Sequence, residues 1–405
     1  MLINLSRAQE RFITAKTRGR LFLAGIGSGK TYILCYSAIT EALQSRICCI
    51  VSFTYRSLRD VVASTMINCL EQMSISYHFN KVDMTFIINN TPILLRSGDA
   101  PDRLRGLNLD SCLIDEASYL SRDIFDIMIG RLRRSPNAWW GLVSTPKGRN
   151  WLYDIIKQEN MLEVFNNKYM SNNDLTVVLQ STLTSPFLPD TYVADLLKQY
   201  TTSFARQELD AQIIDNTESI FKFKWFNIEY TQYPNTGVRY WDLAVSTKND
   251  ADYSVGLLMN KEEDKYYIQD IKRYKLAYPE LKRKIIETAV NDGTDIIIGL
   301  EEAGQQQSII DDIRTNSNLH NHIIRSLRPT KDKISRSYPV ASQAERGRIV
   351  ISDRINIKDF EDECNTFSVA NLGKYHDDQI DALNGAYELI NRVGSTNVEY
   401  FNLGV

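Results

Sequence analysis

The feature that most constrains the fold is AGIGSGKT at 24–31, which lies between an apolar stretch and a helix-forming stretch. Glycines at this spacing, here Gly25, Gly27 and Gly29, let successive backbone N–H groups turn inward around a phosphate, and the helix that follows adds its positive N-terminal end. The pattern is that of a P-loop in which Ala24 stands in place of the first glycine. We therefore expect a strand, this loop and a helix within an α/β sheet.

The loop predicts a binding site for ATP with Mg²⁺. The backbone of Ser28 and its neighbours is expected to surround the phosphates, and the Lys30 side chain is expected to reach the β- and γ-phosphates. The hydroxyl of Thr31 is expected to ligate magnesium. These residues and the three glycines are the first candidates for nucleotide binding.

A second apolar strand, SCLIDEA at 111–117, ends in Asp115 and Glu116. Asp115 is suited to holding the magnesium ion, and Glu116 is suited to polarising the water that attacks the γ-phosphate. An Asp-Glu pair after a strand is also common in caps and loops. The P-loop upstream favours the catalytic interpretation.

Two further signals fit a nucleotide-driven motor. LVSTP at 142–146 ends a strand in Ser144 and Thr145, which suits sensing of the γ-phosphate; the alternative is an ordinary strand-to-turn junction. Gln9 precedes the loop in LSRAQERF and resembles the adenine-reading glutamine of helicase-like ATPases. The alternative for Gln9 is a solvated helix residue.

Carboxylates recur at element ends in the C-terminal half. Asp242 lies in the apolar strand RYWDLAV, where an ionised carboxylate is costly unless it binds a metal or a partner. Glu301 ends the strand DIIIGLE, and Glu302 follows it. A predicted helix then begins with three more aspartates, Asp377, Asp378 and Asp381.

Acidic groups from two strands and a helix suit a pair of Mg²⁺ or Mn²⁺ ions, roughly 4 Å apart, that activate water for phosphodiester hydrolysis. Helix capping explains one or two of the three aspartates, but it does not explain Asp242 and Glu301 as well. The spacing leaves open which aspartates bind metal. It also leaves open Glu301 against Glu302, with Glu301 favoured by its place at the strand end.

Alternating apolar strands and helical stretches between residues 20 and 165 predict an α/β domain with a largely parallel sheet. A stretch rich in Asn, Ser and Thr follows, with a helical piece from Asp190 to about Ala211. The predicted segments are a P-loop ATPase domain at 1–165, a linker subdomain at 166–220, a second α/β domain at 221–393 and a flexible tail at 394–405.

The formal net charge of −3 over 405 residues does not by itself identify a nucleic-acid-binding protein. Basic residues cluster at 131–135 and from Arg325 to Arg348; a phosphate-contacting surface is one interpretation and a solvated face is the other. No run approaches the roughly 20 apolar residues that cross a bilayer, and the N-terminus lacks a secretory pattern. The missing membrane span and secretory pattern predict a cytoplasmic protein. Six scattered cysteines predict buried free thiols.

With these residues assembled, the chain resembles the large terminase subunit of tailed bacteriophages over nearly its full length. The matching segments are the Gln9 region, AGIGSGKT, RLRG at 103–106, SCLIDEA, VSTP, YWDLAVSTKNDADYSV at 240–255, LEEAGQQQSIIDDI at 300–313 and YHDDQIDAL at 375–383. The last three resemble the ribonuclease-H-like nuclease domain of that family. Two independent catalytic sets in this order make the resemblance specific.

The resemblance implies a motor that docks on the portal protein of a procapsid, pumps double-stranded DNA with ATP and cuts the DNA concatemer. It also implies a small terminase subunit as partner and a homo-oligomeric ring, expected to be a pentamer. The chain is then expected in the cytoplasm of a bacterial host and transiently on the procapsid, but not in the mature virion. Arg105, or with less support Arg103, would act as an arginine finger in a neighbour's ATP site.

Two other functions fit part of the pattern. A helicase-like or repair ATPase would keep the P-loop, the Asp-Glu pair and VSTP, while its C-terminal half would bind DNA without cutting it. A portal-docking protein that has lost activity would keep the pattern without the chemistry. The helicase-like ATPase would not need Asp242, Glu301 and Asp378 together.

Overall fold

The computed structural model describes residues 5–215, 217–232, 234–244, 253–302, 307–329 and 332–394. The chain divides into two compact units, Met1–Leu197 with Thr202–Asp215 and Lys198–Thr201 with Asn216–Val405. Within the described ranges, each unit contains one β-sheet. The predicted flexible tail lies outside the described residues except for Gly394, which ends the last helix.

The first unit has a nine-stranded sheet in the order β3-β4-β5-β2-β6-β7-β1-β9-β8. The six strands from β5 to β9 in this order are parallel, and the strands outside them pair antiparallel. The strands are β1 (Gly19–Ala24), β2 (Cys48–Ser52), β3 (His78–Asn80), β4 (Thr85–Ile88), β5 (Thr91–Ser97), β6 (Ser111–Ile114), β7 (Trp139–Ser144), β8 (Tyr169–Ser171) and β9 (Leu175–Gln180). The largely parallel α/β sheet confirms the predicted fold class.

Helices cover both faces of this sheet because the central strands are apolar on both sides. Phe22 of β1 packs in one buried cluster, whereas its neighbours Leu21 and Leu23 pack in another. The helices are α1 (Arg7–Thr14), α2 (Lys30–Leu43), α3 (Tyr55–Ser57), α4 (Ser64–Gln72), α5 (Arg122–Ile129), α6 (Trp151–Gln158), α7 (Val164–Asn167), α8 (Asp190–Gln199) and α9 (Thr202–Glu208), with a π-helical turn at Leu58–Ala63.

For residues 166–220 the sequence predicts a linker subdomain, but the structure has a strand of the first sheet there. Strand β9 pairs with β1 along its whole length, and every residue of β9 is buried. The polar loops on either side dominate the composition of the stretch and obscure a strand of six residues. The single helix expected after Asp190 is instead two helices, α8 and α9.

The second unit has a seven-stranded sheet in the order β10-β16-β13-β12-β11-β14-β15. Three central strands form an antiparallel meander, and β14 and β15 continue from β11 in parallel. The strands are β10 (Asn227–Glu229), β11 (Gly237–Asp242), β12 (Ser254–Glu262), β13 (Lys265–Tyr274), β14 (Ile296–Glu301), β15 (Ile324–Leu327) and β16 (Ile349–Ser352). The predicted hairpin at 253–274 is confirmed.

Helices again flank both faces. Tyr240 packs with one set of helices, and the adjacent Trp241 packs with the other. The helices are α10 (Tyr278–Asp292), α11 (Gln307–Arg314), α12 (Lys333–Glu345), α13 (Lys358–Thr366) and α14 (Asp378–Gly394).

Close packing between α14 and β11 places the start of that helix beside the end of the strand. A Cβ on Gly385 would lie 2.0 Å from the Tyr240 ring, and one on Gly299 would lie 2.6 Å from the same ring. Only glycine permits these approaches. The helix therefore lies directly on the sheet, with its first residues near Asp242.

The six cysteines are all buried and free, as the sequence predicts. Within the described residues, no helix is both long and apolar enough to span a membrane.

Candidate ATP and nuclease sites

The P-loop connects β1 to α2, as predicted. Gly27 and Gly29 both have φ of 73°, in the left-handed region that favours glycine. Gly25 approaches the main chain closely, since a Cβ there would lie 2.4 Å from the Leu209 carbonyl oxygen. The buried Ser28 hydroxyl has no hydrogen-bond partner among the residues that the structure describes, so the loop retains an unused polar group where a phosphate is expected.

Lys30 and Thr31, the first two residues of α2, connect the loop to neighbouring strands. The Lys30 ammonium donates to the Thr145 hydroxyl at 2.9 Å and to the carbonyl oxygens of Ala24 and Gly25 at 3.3 and 3.2 Å. The Thr31 hydroxyl lies 3.2 Å from a carboxylate oxygen of Asp115. The structure thus brings together the predicted lysine, threonine and aspartate.

Asp115 and Glu116 follow β6 and have different surroundings. Burial, and then repulsion from Glu116, raises the pKa of Asp115 to about 7, despite the opposing effect of Thr31. Glu116 has φ of 47° and lies 3.7 Å from the Lys30 ammonium. Its side chain is 36% exposed, so it has access to the water that it is predicted to polarise.

Strand β7 lies between β1 and β6, which places Ser144 and Thr145 between the loop and the acidic pair. The Ser144 hydroxyl reaches Glu116 at 3.4 Å, and the Ser118 hydroxyl donates to the Thr145 carbonyl at 2.9 Å. The Thr145 hydroxyl in turn accepts from Lys30. Ser144 and Thr145 therefore contact the groups that would change with the γ-phosphate.

Gln9 is buried on α1 rather than solvated. Its Oε1 accepts a hydrogen bond from the Ser6 backbone N–H at 2.9 Å, and its Nε2 lies 3.3 Å from the Gly29 carbonyl oxygen. The amide thus connects α1 to the P-loop. Reading of adenine by Gln9 stays a prediction, and it requires the side chain to exchange at least one of these contacts.

Arg103 lies in the helical turn Pro101–Leu104 and Arg105 directly follows it, and both residues are exposed. Arg105 forms an ion pair with Asp102 at 3.2 Å, and its side chain is 63% exposed. This exposure leaves the guanidinium accessible to another subunit. Its assignment as an arginine finger stays a prediction.

Glu208, at the end of α9, lies beside the P-loop, and sequence reasoning missed this neighbour of the candidate ATP site. The Ile26 backbone N–H donates to the Glu208 carbonyl at 2.8 Å. Burial raises the pKa of the Glu208 carboxyl, which also interacts electrostatically with Lys147 and Lys30. Nothing in the local sequence indicates this approach, because α9 is far from the loop in the chain.

In the second unit, Asp242 and Glu301 end the adjacent parallel strands β11 and β14, where Trp241 pairs with Leu300. Burial, and then the charge of Asp381 and of Glu301, raises the pKa of Asp242 well above its usual range. The carboxylates of two strand ends and one helix start therefore lie close enough to repel each other. This is the convergence that the sequence predicts.

The three aspartates at 377–381 have separate environments. Asp378 is buried and accepts the Tyr253 backbone N–H at 3.0 Å, while His376 lies 3.6 Å away. Burial raises the pKa of Asp381 to about 6, against the opposing charge of Lys333. Asp377 precedes the helix and forms an ion pair with Lys333 at 2.6 Å.

Two cations on α12 enter this acidic cluster, and sequence reasoning missed both of them. Lys333 lies 2.5 Å from Asp381, and Arg336 lies 3.6 Å from Asp381 and 3.7 Å from Glu301. Both belong to the basic stretch at 325–348. Their charge indicated a basic segment, but only the fold shows that α12 points them at carboxylates.

The acidic cluster suits a hard divalent cation because its donors are all carboxylate oxygens. One oxygen each of Glu301 and Asp381 is buried and has no hydrogen-bond partner within the described part of the chain. Among the described residues, no three Asp, Glu, His or Cys side chains are already arranged around a common ion position. Glu302 is partly exposed, and its backbone N–H donates to the Leu327 carbonyl at 2.8 Å.

Two protein families match successive parts of the chain. Residues 21–228 match the family described as "Terminase large subunit, T4likevirus-type, N-terminal". Residues 239–389 match the family described as "Terminase RNaseH-like domain". The second match confirms the expected ribonuclease-H-like class of the second unit.

Individual relatives agree with these families. The large terminase subunits of Thermus phage G20c and Thermus virus P23-45 are each 37% identical over 60 residues, which cover 15% of this chain and 12% of each relative. That alignment spans far less than two thirds of either protein.

Solved structures share the fold over a longer span. The large terminase of a thermophilic bacteriophage has a TM-score of 0.67 at 14% identity, covering 96% of this chain and 99% of that chain. The complex of the same phage's large terminase with ADP has a TM-score of 0.64 at 15% identity, covering 94% and 98%. At this identity the likeness establishes the fold.

Proposed function

The chain belongs to the large terminase subunit family, and we propose that it is the ATP-hydrolysing and DNA-cleaving subunit of a viral DNA-packaging motor. The observation that carries this proposal is the presence of two separate catalytic sets in one chain. Lys30, Thr31 and Asp115 meet in the first unit, and the carboxylates of Asp242 and Glu301 end adjacent strands in the second.

In the ATPase unit, Lys30 would exchange its carbonyl contacts for the β- and γ-phosphates. Thr31 and Asp115 would hold magnesium, and Glu116 would orient the attacking water. Ser144 touches Glu116, so loss of the γ-phosphate would be passed to β7 and its following loop. The resulting movement of β7 and its following loop would supply the force that translocates double-stranded DNA.

In the nuclease unit, Asp242, Glu301, Asp378 and Asp381 are the residues that would hold Mg²⁺ or Mn²⁺, with Asp377 and Glu302 as further candidates. When bound, such ions supply Lewis-acid stabilisation to the attacking and leaving oxygens of a phosphodiester. Their positions at the ends of adjacent paired strands would keep Asp242 and Glu301 in place. The chain's own carboxylates thereby define where the DNA backbone is cut.

The same family membership supports finer proposals about assembly. The subunit would form a ring, expected to be pentameric, on the portal protein of a procapsid and would work with a small terminase subunit in the host cytoplasm. Arg105 would complete a neighbour's ATP site. Mixing Lys30→Ala with Arg105→Ala chains checks this: partial recovery of ATP hydrolysis supports a finger in trans, and no recovery argues against it.

The proposed pair of activities is tested by two single variants. Lys30→Ala is expected to lose ATP hydrolysis and keep Mn²⁺-dependent nicking of plasmid DNA, and Asp242→Ala is expected to show the reverse. If Asp242→Ala nicks as fast as the wild type, the nuclease assignment is wrong. The helicase-like alternative would then account better for the chain.

A further inference from the structure

Helix α12 directs two cations into the acidic cluster of the nuclease unit. The Lys333 ammonium lies 2.6 Å from an Asp377 oxygen and 2.5 Å from an Asp381 oxygen, so it bridges the two carboxylates. Its side chain is 27% exposed. Lysine carries a compact charge on a flexible stem, and Lys333 is the first residue of its helix.

Arg336 lies one helical turn further along α12 and is held less closely. It is 3.6 Å from Asp381 and 3.7 Å from Glu301, distances of ion pairs rather than of hydrogen bonds. Among the described residues, its buried Nε has no hydrogen-bond partner, and neither do the facing oxygens of Asp381 and Glu301. Arg336 therefore interacts with Asp381 and Glu301 through charge, without the paired hydrogen bonds of a bidentate contact.

Among the described residues, carboxylates and cations are not present in equal number in the cluster. Its carboxylates outnumber the two cations of α12, the members being Asp242, Glu301, Asp377, Asp378 and Asp381. Carboxylates at this density repel each other unless protons or cations neutralise them. Lys333 supplies part of that neutralisation, at the position between two carboxylates that a divalent cation would also favour.

We propose that Lys333 is an internal counter-ion that holds Asp377 and Asp381 together and gives them up when a divalent cation binds. This inference rests on the proposed nuclease function. In this exchange the two positive charges of the metal ion take the place of the single charge of the Lys333 ammonium. The metal ion must therefore compete with an ammonium that is covalently attached to the chain. Lys333 would thus keep the site folded when metal is absent. It would also make metal binding weaker than at a site with the same carboxylates and no lysine.

Metal affinity and ligand-free stability test this exchange on the full chain, without nucleotide. Lys333→Met removes the charge and keeps a similar stem. We expect the weakest resolved Mn²⁺ binding step, measured by calorimetry and by electron paramagnetic resonance, to become about tenfold tighter. The melting temperature in EDTA is expected to fall, because two unneutralised carboxylates repel each other.

Lys282→Met is a matched control. Lys282 lies 3.1 Å from Asp312 and is 28% exposed, which is close to the exposure of Lys333. This variant is expected to leave Mn²⁺ affinity unchanged. Equal tightening in both variants would mean a general effect of net charge and would overturn the proposal.

Lys333→Arg keeps the test decisive if Lys333→Met does not fold. A guanidinium holds two carboxylates through a fork of N–H groups, so Mn²⁺ binding is expected to weaken. Unchanged affinity in the folded Lys333 variants overturns the counter-ion role alone. If the wild type binds no Mn²⁺ that Asp242→Ala removes, the nuclease function fails as well.

Discussion

The ATP site and the nuclease site both lie where parallel strands end, but they are built differently. The central ATP-site residues come from two short segments, 24–31 and 111–117, on strands that flank β7. The nuclease carboxylates come from β11, β14 and α14, spread between residues 242 and 381. A site of the first kind depends on local backbone geometry, and one of the second kind depends on correct folding of a whole unit.

The two lysines sharpen this contrast. Lys30 lies against backbone carbonyls and 3.7 Å from Glu116, and an incoming phosphate would attract it. Lys333 lies between two carboxylates, and an incoming metal ion would repel it. We therefore expect Lys30 to favour ligand binding and Lys333 to oppose it.

The largest effect is expected at the strand end of β14. Glu301→Gln should slow Mn²⁺-dependent nicking about a thousandfold, because a metal ligand contributes several kcal/mol of transition-state stabilisation. Glu302→Gln is the control from the next position and should change the rate little. Plasmid nicking assays distinguish them. A larger loss in Glu302→Gln would assign the ligand to the other glutamate.

A smaller loss is expected at the water-positioning residue of the ATP site. Glu116→Gln should slow ATP hydrolysis about a hundredfold while keeping nucleotide binding, because general-base groups contribute about this much or more. Glu71→Gln, at an exposed helix position, is the control. Steady-state hydrolysis and nucleotide titration measure the two quantities. Parallel loss of binding would mean that Glu116 holds the nucleotide instead.

The response to pH should differ between the two sites. The pKa of Asp115 is raised to about 7 by burial first and by Glu116 next, so below pH 7 a proton must leave before magnesium binds. The affinity for Mg²⁺ with ADP should then fall by up to about tenfold for each unit by which the pH decreases in that range. Without ligand, the raised pKa makes the unit lose stability as pH rises from about 4 to 7.

The nuclease site should show the steeper dependence. The pKa of Asp381 is raised to about 6, and that of Asp242 well above its usual range, so metal binding there displaces more than one proton. Calorimetry over the range from about pH 5.5 to about pH 8 compares both sites. Asp115→Asn should abolish the dependence at the ATP site only. An equal pH dependence of metal affinity at the two sites would contradict this prediction.

The smallest effect is expected at Gln9. Gln9→Ala removes its contacts with the Ser6 backbone and the P-loop, and nucleotide affinity should weaken about threefold, the value of part of one hydrogen bond. ATP and GTP titrations measure the loss. If Gln9 reads adenine, ATP affinity falls and GTP affinity does not. An equal loss for both nucleotides would assign Gln9 to support of the loop.

Local patterns account for most of what the sequence predicted correctly. The P-loop between β1 and α2, the strand before Asp115 and the hairpin at 253–274 all follow from short-range periodicity and turn chemistry. Strand β9 was missed because polar loops flank it. Glu208 and Lys333 were missed because their approach depends on which elements pack together.

The sequence by itself determined the chemistry available to each half, because left-handed glycines, a lysine after the loop and carboxylates after apolar strands act through their own backbone neighbourhood. It also determined the order of the strands and helices that carry these groups. Only the tertiary structure decided that β7 lies between β1 and β6, that α14 rests on Tyr240 and that α12 points Lys333 at two aspartates. These arrangements come from pairing and packing between distant segments, and no local pattern encodes them.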